Sequence, residues 1–416
     1  MLDLTKLGKA MQGISQQLVL EAGANKLRLE RAQKMLDQAQ IHQDKLVKTH
    51  QDWRDRFIFT PAVPIEPLDT RIPLDIAPEK HTVIATDGSQ ISPSHHEIAY
   101  CYLINIGRVL LHYGQSLYPL LDSFPEVFSQ PEDLYVSRQW GIRTEEWMGY
   151  RRTVSEAVAL ANLAIEWKNT DLKSHKPAVK QLSLLETNSS FVPHPLPPTL
   201  AMVDGSLLYW FLEPLPTDAR DRILYPILEA WEQLRQAKIP LMGYLSSSRS
   251  TESLNFFRLP ACTHPVPDCL KYCQELERTP CQLFDSLRDS VFWGMELQPG
   301  ERSPLWRSSA AIQSFYGEHQ IYFCYVHVGA EIARIEVPEW VVTDSALFDQ
   351  ALSLMLAQVQ KGYGYPVALA EAHNQAVVRG GDRARFFALL EQQMIRSGVR
   401  NVGISYKEAR KRGSIA

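Results

Sequence analysis

Two short apolar segments of this chain end in the same tripeptide, Asp-Gly-Ser, at residues 83–89 and 201–206. Each segment predicts a buried β-strand that delivers a carboxylate, Asp87 or Asp204, to its end, where glycine permits a sharp turn. Two such carboxylates brought together form a hard oxygen site suited to Mg²⁺ or Mn²⁺. One Asp-Gly-Ser alone is an ordinary turn, so it is the repetition that indicates metal-dependent chemistry.

A third carboxylate is expected from the long helix that the sequence predicts over residues 144–167. Glu156 is the preferred candidate because small and apolar residues flank it, and Glu166 is the second choice. Cleavage of a phosphodiester between two metal ions needs several such carboxylates to hold the ions. Each candidate also has an ordinary interpretation, with Asp87 and Asp204 as turn residues and Glu156 as an exposed helix residue.

A tyrosine and a histidine near the C-terminus complete the candidate set. Tyr365 precedes a helix predicted to start at Pro366, and His373 lies two turns into that helix. A neutral imidazole can bind Mn²⁺ or orient a water. Ala370 and Ala376 near His373 predict a tightly packed helix face, where a histidine is more often a core residue with satisfied hydrogen bonds.

Basic residues with aromatic neighbours are concentrated after this helix. The candidate phosphate contacts are Arg249, Arg379, Arg383 and Arg385. Phe386 and Phe387 offer stacking positions beside them, as a groove for single-stranded nucleic acid would need. The alternative is a solvated helix face followed by a frayed basic tail.

Composition sets the bounds on this interpretation. The chain has 416 residues, 45% of them hydrophobic and 22% charged, which is typical of a globular protein with two lobes or one elaborated domain. The net charge of −4 excludes a global attraction to nucleic acid, so binding needs a local basic surface. No apolar run approaches the length of a membrane span and no secretory segment opens the chain, so we expect a cytoplasmic protein without a membrane partner.

Six cysteines in a chain of this size do not indicate a disulfide framework. Four of them fall at positions 262, 269, 273 and 281, with His264 nearby. Their spacing is not the paired C-x₂-C of a zinc knuckle. Zinc, an iron–sulfur cluster and ordinary reduced thiols all stay open.

The predicted organisation is a helical arm over 1–60, a proline-rich linker over 61–80, one α/β domain over 81–400 and a basic tail over 401–416. A polar insertion is expected near 170–198, and a hairpin of strands 97–106 and 108–113 is expected to turn at Gly107. The order of strands and helices favours a mixed sheet flanked by helices.

The arm itself is expected to change character along its length. Leu4, Leu7 and Met11 begin an apolar periodicity, whereas the second half is rich in Gln, Lys and Asp and is expected to project. The arm either packs on its own domain or forms a dimerisation or partner surface.

Taken in order, these pieces resemble the NurA nuclease family. The matching residues are Asp87-Gly88-Ser89, the arginine-rich helix with Glu156, Val203-Asp204-Gly205-Ser206-Leu207, Gly243-Tyr244-Leu245-Ser246, Tyr365-Pro366 and Ala372-His373. The resemblance covers residues 80–380 and implies an RNase H-like core with a Mn²⁺-dependent site, Mg²⁺ being an alternative ion. It also implies a 5′-to-3′ DNA exonuclease and single-strand endonuclease that acts in end resection during double-strand break repair.

The family likeness further implies a homodimer that acts on linear and single-stranded DNA together with a hexameric HerA-type ATPase. Asp87, Asp204, Tyr365 and His373 match the family's functional residues, and Glu156 is matched to its acidic helix residue. The implied metal ligands are Asp87, Glu156, Asp204 and His373.

Two other functions use the same features. Actin-like ATPases and sugar kinases place Gly and Ser after strand aspartates, but Gly380-Gly381 is the only candidate for their late adenosine-binding loop. A non-catalytic DNA-binding subunit of a translocase is the second alternative.

Overall fold

The computed structural model describes residues 3–94, 99–169 and 197–398. The predicted insertion near 170–198 falls almost wholly outside the described residues, and the predicted basic tail over 401–416 falls outside them entirely.

Both strands and helices occur throughout the described chain. The strands are β1 (Val63–Pro64), β2 (Ile72–Pro73), β3 (His81–Ile91), β4 (Tyr102–Tyr113), β5 (Leu120–Phe128), β6 (Thr199–Asp204), β7 (Leu241–Leu245), β8 (Glu301–Arg302), β9 (Trp306–Arg307), β10 (Ile321–His327) and β11 (Ile332–Pro338). The α-helices are α1 (Leu4–Ile41), α2 (Gln43–Trp53), α3 (Pro131–Tyr135), α4 (Thr144–Asn169), α5 (Thr217–Ala237), α6 (Glu252–Phe256), α7 (Cys269–Tyr272), α8 (Asp289–Glu296), α9 (Glu339–Val342), α10 (Ser345–Lys361), α11 (Val367–Ala376) and α12 (Gly380–Arg396). This composition confirms the mixed α/β class, and none of the described helices is both long and apolar enough to cross a membrane.

The chain forms two compact units, each made of two segments. The first unit comprises Met1–Leu74 and Tyr244–Glu339, and the second comprises Asp75–Gly243 and Trp340–Ala416. In the second unit the strand order is β7-β6-β3-β4-β5, with β3 parallel to β6 and antiparallel to β4. In the first unit the order is β1-β9-β10-β11, and β8 joins β2 to β10.

The hairpin predicted at Gly107 is wrong. Residues 102–113 form one continuous strand, β4, in which Gly107 lies opposite Asp87 of β3. A Cβ atom at Gly107 would collide with the backbone of Ala372 and Ala376 on α11. This glycine is therefore required for the close approach of a helix to the sheet, not for a turn.

The arm is buried where we expected it to project. The apolar residues of its first half, among them Leu4, Leu7 and Met11, are exposed, whereas Ala32 and Leu36 are fully buried in the core of the first unit. Alanine and leucine at helical spacing give the polar second half a narrow buried stripe. The polar composition of that half predicted a projecting helix because the few apolar residues of the stripe are outnumbered.

The first unit also contains a buried ionic network. Arg334 on β11 forms ion pairs with Glu252 (2.8 Å) and Glu336 (2.7 Å), and its guanidinium lies over the ring of Phe323 at 3.6 Å. Each of these three charged side chains is no more than 7% exposed. The carboxylates are therefore tolerated in the core because one guanidinium serves both.

We predict that Arg334→Met lowers the free energy of unfolding by about 3–5 kcal/mol, because it leaves two buried carboxylates without their cation. Urea unfolding at pH 7 measures this. The matched control is Arg235→Met, which removes a largely exposed pair with Glu232 and should cost less than about 1 kcal/mol. Equal losses in the two variants would contradict the role given to the network.

Candidate active site

The register of two parallel strands brings the repeated aspartates together. β3 pairs with β6 from Thr82–Thr199 to Thr86–Val203, so Asp87 and Asp204 are the next residues on adjacent strands. Asp204 ends β6, as the sequence predicts. Asp87 does not end its strand, because β3 continues along β4 to Ile91. The first Asp-Gly-Ser is therefore part of a strand, and its prediction as a turn is wrong.

The two glycines of the repeated tripeptide have different roles. A Cβ atom at Gly88 would overlap Oε1 of Glu156 and lie 2.7 Å from Cγ of Arg152, so α4 can approach β3 only at a glycine. Gly205 has open space around its Cα but a φ of +120°, which side chains rarely adopt. Only the second glycine makes the turn that the motif suggested.

Helix α4 brings Glu156 to one face of β3. The Thr86 hydroxyl donates to the carbonyl oxygen of Glu156 (2.9 Å). The Gly88 N–H donates to Oδ1 of Asp87 (2.8 Å) and lies beside the Glu156 carboxylate, whose pKa it lowers. Arg152, one turn earlier on the helix, lies 3.2 Å from the same carboxylate. Burial raises the pKa of Glu156 to about 7, Arg152 opposes that rise, and the charges of Asp87 and Asp204 add to it.

Helix α11 lies on the opposite face of β3, since Asp87 points the other way from Thr86 and Gly88. The Asp87 carboxylate accepts a hydrogen bond from Nδ1 of His373 (2.8 Å). The end of α11 is fixed because the Ser89 hydroxyl and the Asn105 amide both donate to the carbonyl oxygen of Ala376.

His373 does not lie on a packed helix face. Its side chain is 64% exposed, whereas Ala372 and Ala376 are fully buried against the sheet. The alanine neighbours predicted a packed position for His373, and that prediction is wrong. Because a carboxylate only accepts, the bond to Asp87 requires the proton on Nδ1, so a neutral ring has its lone pair on Nε2.

A tight turn between α10 and α11 places Tyr365. A Cβ atom at Gly362 would collide with the carbonyl oxygen of Tyr365, and Gly364 has a φ of +123°. The Tyr365 hydroxyl donates to the Asp204 carboxylate. Burial raises the pKa of Asp204, the charge of Asp87 raises it further, and Tyr365 and His373 lower it. Gly362 and Arg152 were missed as supporting residues, although the i, i+4 spacing of Arg152 and Glu156 was a usable signal.

The donors that converge here are of the kind that hard divalent cations prefer: three carboxylates, a phenol and an imidazole. In the described part of the chain, no group of three or more His, Cys, Asp or Glu side chains is already arranged to hold a metal ion. The donor set therefore fits Mn²⁺ or Mg²⁺ in chemistry, and ion binding requires side-chain rotation.

The remaining candidates lie apart from this set. Glu166, on the exposed side of α4, acts on Arg108 rather than on the aspartates. Arg379, Arg383 and Arg385 lie on or next to α12, which packs through Phe387 against Ile91 and Leu103. Arg249 is exposed and belongs to the first unit. The Ser206 hydroxyl accepts from the Leu208 N–H in its own turn (3.0 Å).

A family model described as the NurA domain matches residues 81–378. The chain belongs to the NurA family. A separate comparison with curated proteins finds no match.

Solved NurA structures give fold matches at low identity. The NurA nuclease from Sulfolobus solfataricus is 11% identical, with a TM-score of 0.45 over 88% of this chain and 98% of that one. A NurA structure with manganese is 11% identical, with a TM-score of 0.38 over 80% and 91% of the two chains. A NurA structure bound to dAMP and manganese is 13% identical, with a TM-score of 0.32 over 89% and 93%.

In this NurA-family chain we predict that Gly88→Ala lowers the free energy of unfolding by about 1–3 kcal/mol, because the new methyl group displaces Glu156 and Arg152. Chemical unfolding measures the change. Gly149→Ala on the same helix α4 is the matched control: its methyl group meets open space and should stabilise the helix by about 0.5–1 kcal/mol. If Gly88→Ala stabilised the protein as Gly149→Ala does, the close contact of Gly88 with Glu156 and Arg152 would be disproved.

We also predict a pH-dependent effect of Glu156→Gln. A folded pKa of about 7 against an ordinary value of 4.5 means that the stability associated with protonated Glu156 is complete below about pH 4.5 and lost as pH rises through about 7. Glutamine cannot ionise, so the stability of the variant relative to the parent should rise by about 1–3 kcal/mol between pH 5 and pH 8. Thermal unfolding in EDTA measures it. Glu166→Gln, at an exposed glutamate of the same helix, is the control for losing a carboxylate of α4 outside the buried site; a flat profile for Glu156→Gln would refute the buried carboxyl.

Proposed function

We propose that this chain is a divalent-metal-dependent deoxyribonuclease with Asp87, Glu156, Asp204, Tyr365 and His373 at its active site. The observation that carries the proposal is the convergence of these side chains from separate segments. Asp87 and His373 are 286 positions apart in the sequence, yet their side chains are hydrogen-bonded at 2.8 Å. Membership of the NurA family supports the same conclusion.

Asp87, Glu156, Asp204 and His373 are the proposed metal ligands. A set that combines carboxylates with an imidazole favours Mn²⁺, with Mg²⁺ as the alternative ion. The bound ion would supply Lewis-acid stabilisation of the charge that builds up on the phosphate oxygens. His373 offers Nε2 to the ion because Asp87 fixes the proton on Nδ1, an arrangement that orients the ring and raises its basicity.

Tyr365 is proposed to position the scissile phosphate. Its hydroxyl donates to Asp204 and so lies beside the proposed ligands, where it can also reach a phosphate oxygen. Arg152 neutralises the Glu156 carboxylate and has its side chain 37% exposed, so it can turn toward an incoming phosphate. Arg249, Arg379, Arg383 and Arg385 are proposed to contact the DNA backbone.

The finer assignment follows from family membership rather than from geometry. We propose an RNase H-like core, a 5′-to-3′ exonuclease and single-strand endonuclease activity on linear ends, and a role in end resection at double-strand breaks. A HerA-type hexameric ATPase is the proposed partner, and a cytoplasmic homodimer is the proposed state.

The test is cleavage of end-labelled linear and single-stranded DNA with Mn²⁺, Mg²⁺ or EDTA. We predict that Asp87→Asn, Asp204→Asn and Glu156→Gln each lower kcat by about 10³-fold or more, because each removes an anionic ligand. Asp122→Asn and Glu166→Gln are the matched controls, since these carboxylates interact with Arg108 and are not proposed ligands, and they should retain activity.

Activity that survives Asp87→Asn would refute the proposed site. A parent chain that binds DNA but cuts none with either ion would favour the non-catalytic subunit instead. Thermal stabilisation of the chain by ATP, with no stabilisation by Mn²⁺ and DNA, would favour the ATP-binding alternative.

A further inference from the structure

A long irregular segment of the first unit needs a source of stability. Between α6, which ends at Phe256, and α8, which begins at Asp289, the only regular helix or strand is the four-residue α7. Leu259 and Leu287, near the two ends of the segment, pack into the core of the unit. Irregular segments of this length are uncommon in compact folds unless they have a function or an additional constraint.

Four of the chain's six cysteines lie in this segment and are neighbours in space. One turn of α7 places Cys273 above Cys269, with the Cys273 N–H donating to the Cys269 carbonyl oxygen at 2.9 Å. The Cys262 and Cys281 thiols are close enough to both of them for their charges to interact. Cys269, Cys273 and Cys281 are buried, with 5–7% of their surface exposed.

The surroundings of the thiols do not explain this clustering. Burial raises the pKa of Cys269 to about 11 and also raises the pKa of Cys273. Arg258 donates to Sγ of Cys281 at 3.4 Å and brings a positive charge to the cluster. A cation at the cluster would reverse the mutual repulsion of the thiolates.

A half-buried imidazole lies beside α7. The His264 ring stacks on Tyr272, the residue between the two helical cysteines, with ring centroids 4.6 Å apart. Its Nε2 atom is buried and has no hydrogen-bond partner among the described residues. A buried polar atom without a partner is costly in a folded protein, so this nitrogen favours a hydrogen bond to a group held by the neighbouring thiols.

We propose that Cys262, Cys269, Cys273 and Cys281 bind a metal centre through four thiolates, as a single Zn²⁺ ion or a [4Fe–4S] cluster. Binding releases the four thiol protons and leaves no open coordination position, so the centre is structural and fixes residues 257–288. The thiols are not yet at ligand geometry, as no metal-holding group is preformed in the described residues, so they must rotate inward.

The first test is metal analysis of the full chain, purified without oxygen and dialysed against EDTA to strip weakly held ions. We expect either about one zinc per chain, or about four irons with matching acid-labile sulfide and a broad absorbance near 400 nm. A chain purified without metal is then treated with Zn²⁺, or with sulfide and equal amounts of Fe²⁺ and Fe³⁺, under anaerobic conditions; the mixed iron supplies the average oxidation state of a [4Fe–4S]²⁺ cluster. Absence of stoichiometric metal after both treatments would overturn the proposal.

The second test identifies the ligands. Cys269→Ser and Cys273→Ser should lower the metal content at least about tenfold, while Cys101→Ser and Cys324→Ser, at the two buried cysteines outside the segment, should retain it. If a variant does not fold, titration of the parent with an organomercurial gives the same information, because metal should be released as four thiols react. The four-thiolate assignment would be overturned if metal release did not follow thiol modification. It would also be overturned if the His264→Ala variant lost its metal. None of these measurements depends on nuclease activity.

Discussion

The parallel pairing of β3 with β6 is the constraint on which the candidate site depends. Backbone hydrogen bonds fix the register of Thr82–Thr86 against Thr199–Val203. Asp87 and Asp204, the next residue on each strand, are therefore neighbours. A shift by one residue would send one carboxylate to the other face of the sheet. Buried apolar side chains on both strands hold that register, so the core of the second unit determines where the carboxylates lie.

Around this pair, small residues allow helices to approach and polar residues hold them in place. Gly88 and Gly107 admit α4 and α11 to the two faces of the sheet. Thr86 then bonds the backbone of α4, and Ser89 bonds the backbone of α11. The side chains that reach the aspartates are thus positioned by contacts that carry no chemistry themselves.

Much of this could be predicted from the sequence because it depends on local patterns. Apolar runs predicted β6 and the first part of β3, the pattern of apolar residues predicted α4, and a proline marked the start of α11. The pairing of strands distant in the chain was inferred only from the repeated tripeptide. NurA membership, first suggested by the order of the motifs, is confirmed by the family match over residues 81–378.

What failed depended on contacts between segments distant in sequence. Glycine was assigned to turns at positions 88 and 107, where it serves close packing, and a single sequence does not distinguish these two uses. His373 was assigned to a buried face because its alanine neighbours are small, although the bond to Asp87 draws it to the exposed side. The narrow buried stripe of α1 was obscured by the polar residues around it.

The alternation of β3 has a consequence for how the site responds to change elsewhere. Asp87 accepts from His373 of α11, and the neighbouring Thr86 donates to the backbone of Glu156 on α4, so adjacent residues of one strand position both helices. The relative position of the histidine and the glutamate is then independent of the length of chain between Glu156 and Asp204. Insertions and deletions between these two residues can therefore accumulate without altering the donor geometry, so relatives can differ in length there while retaining the same chemistry.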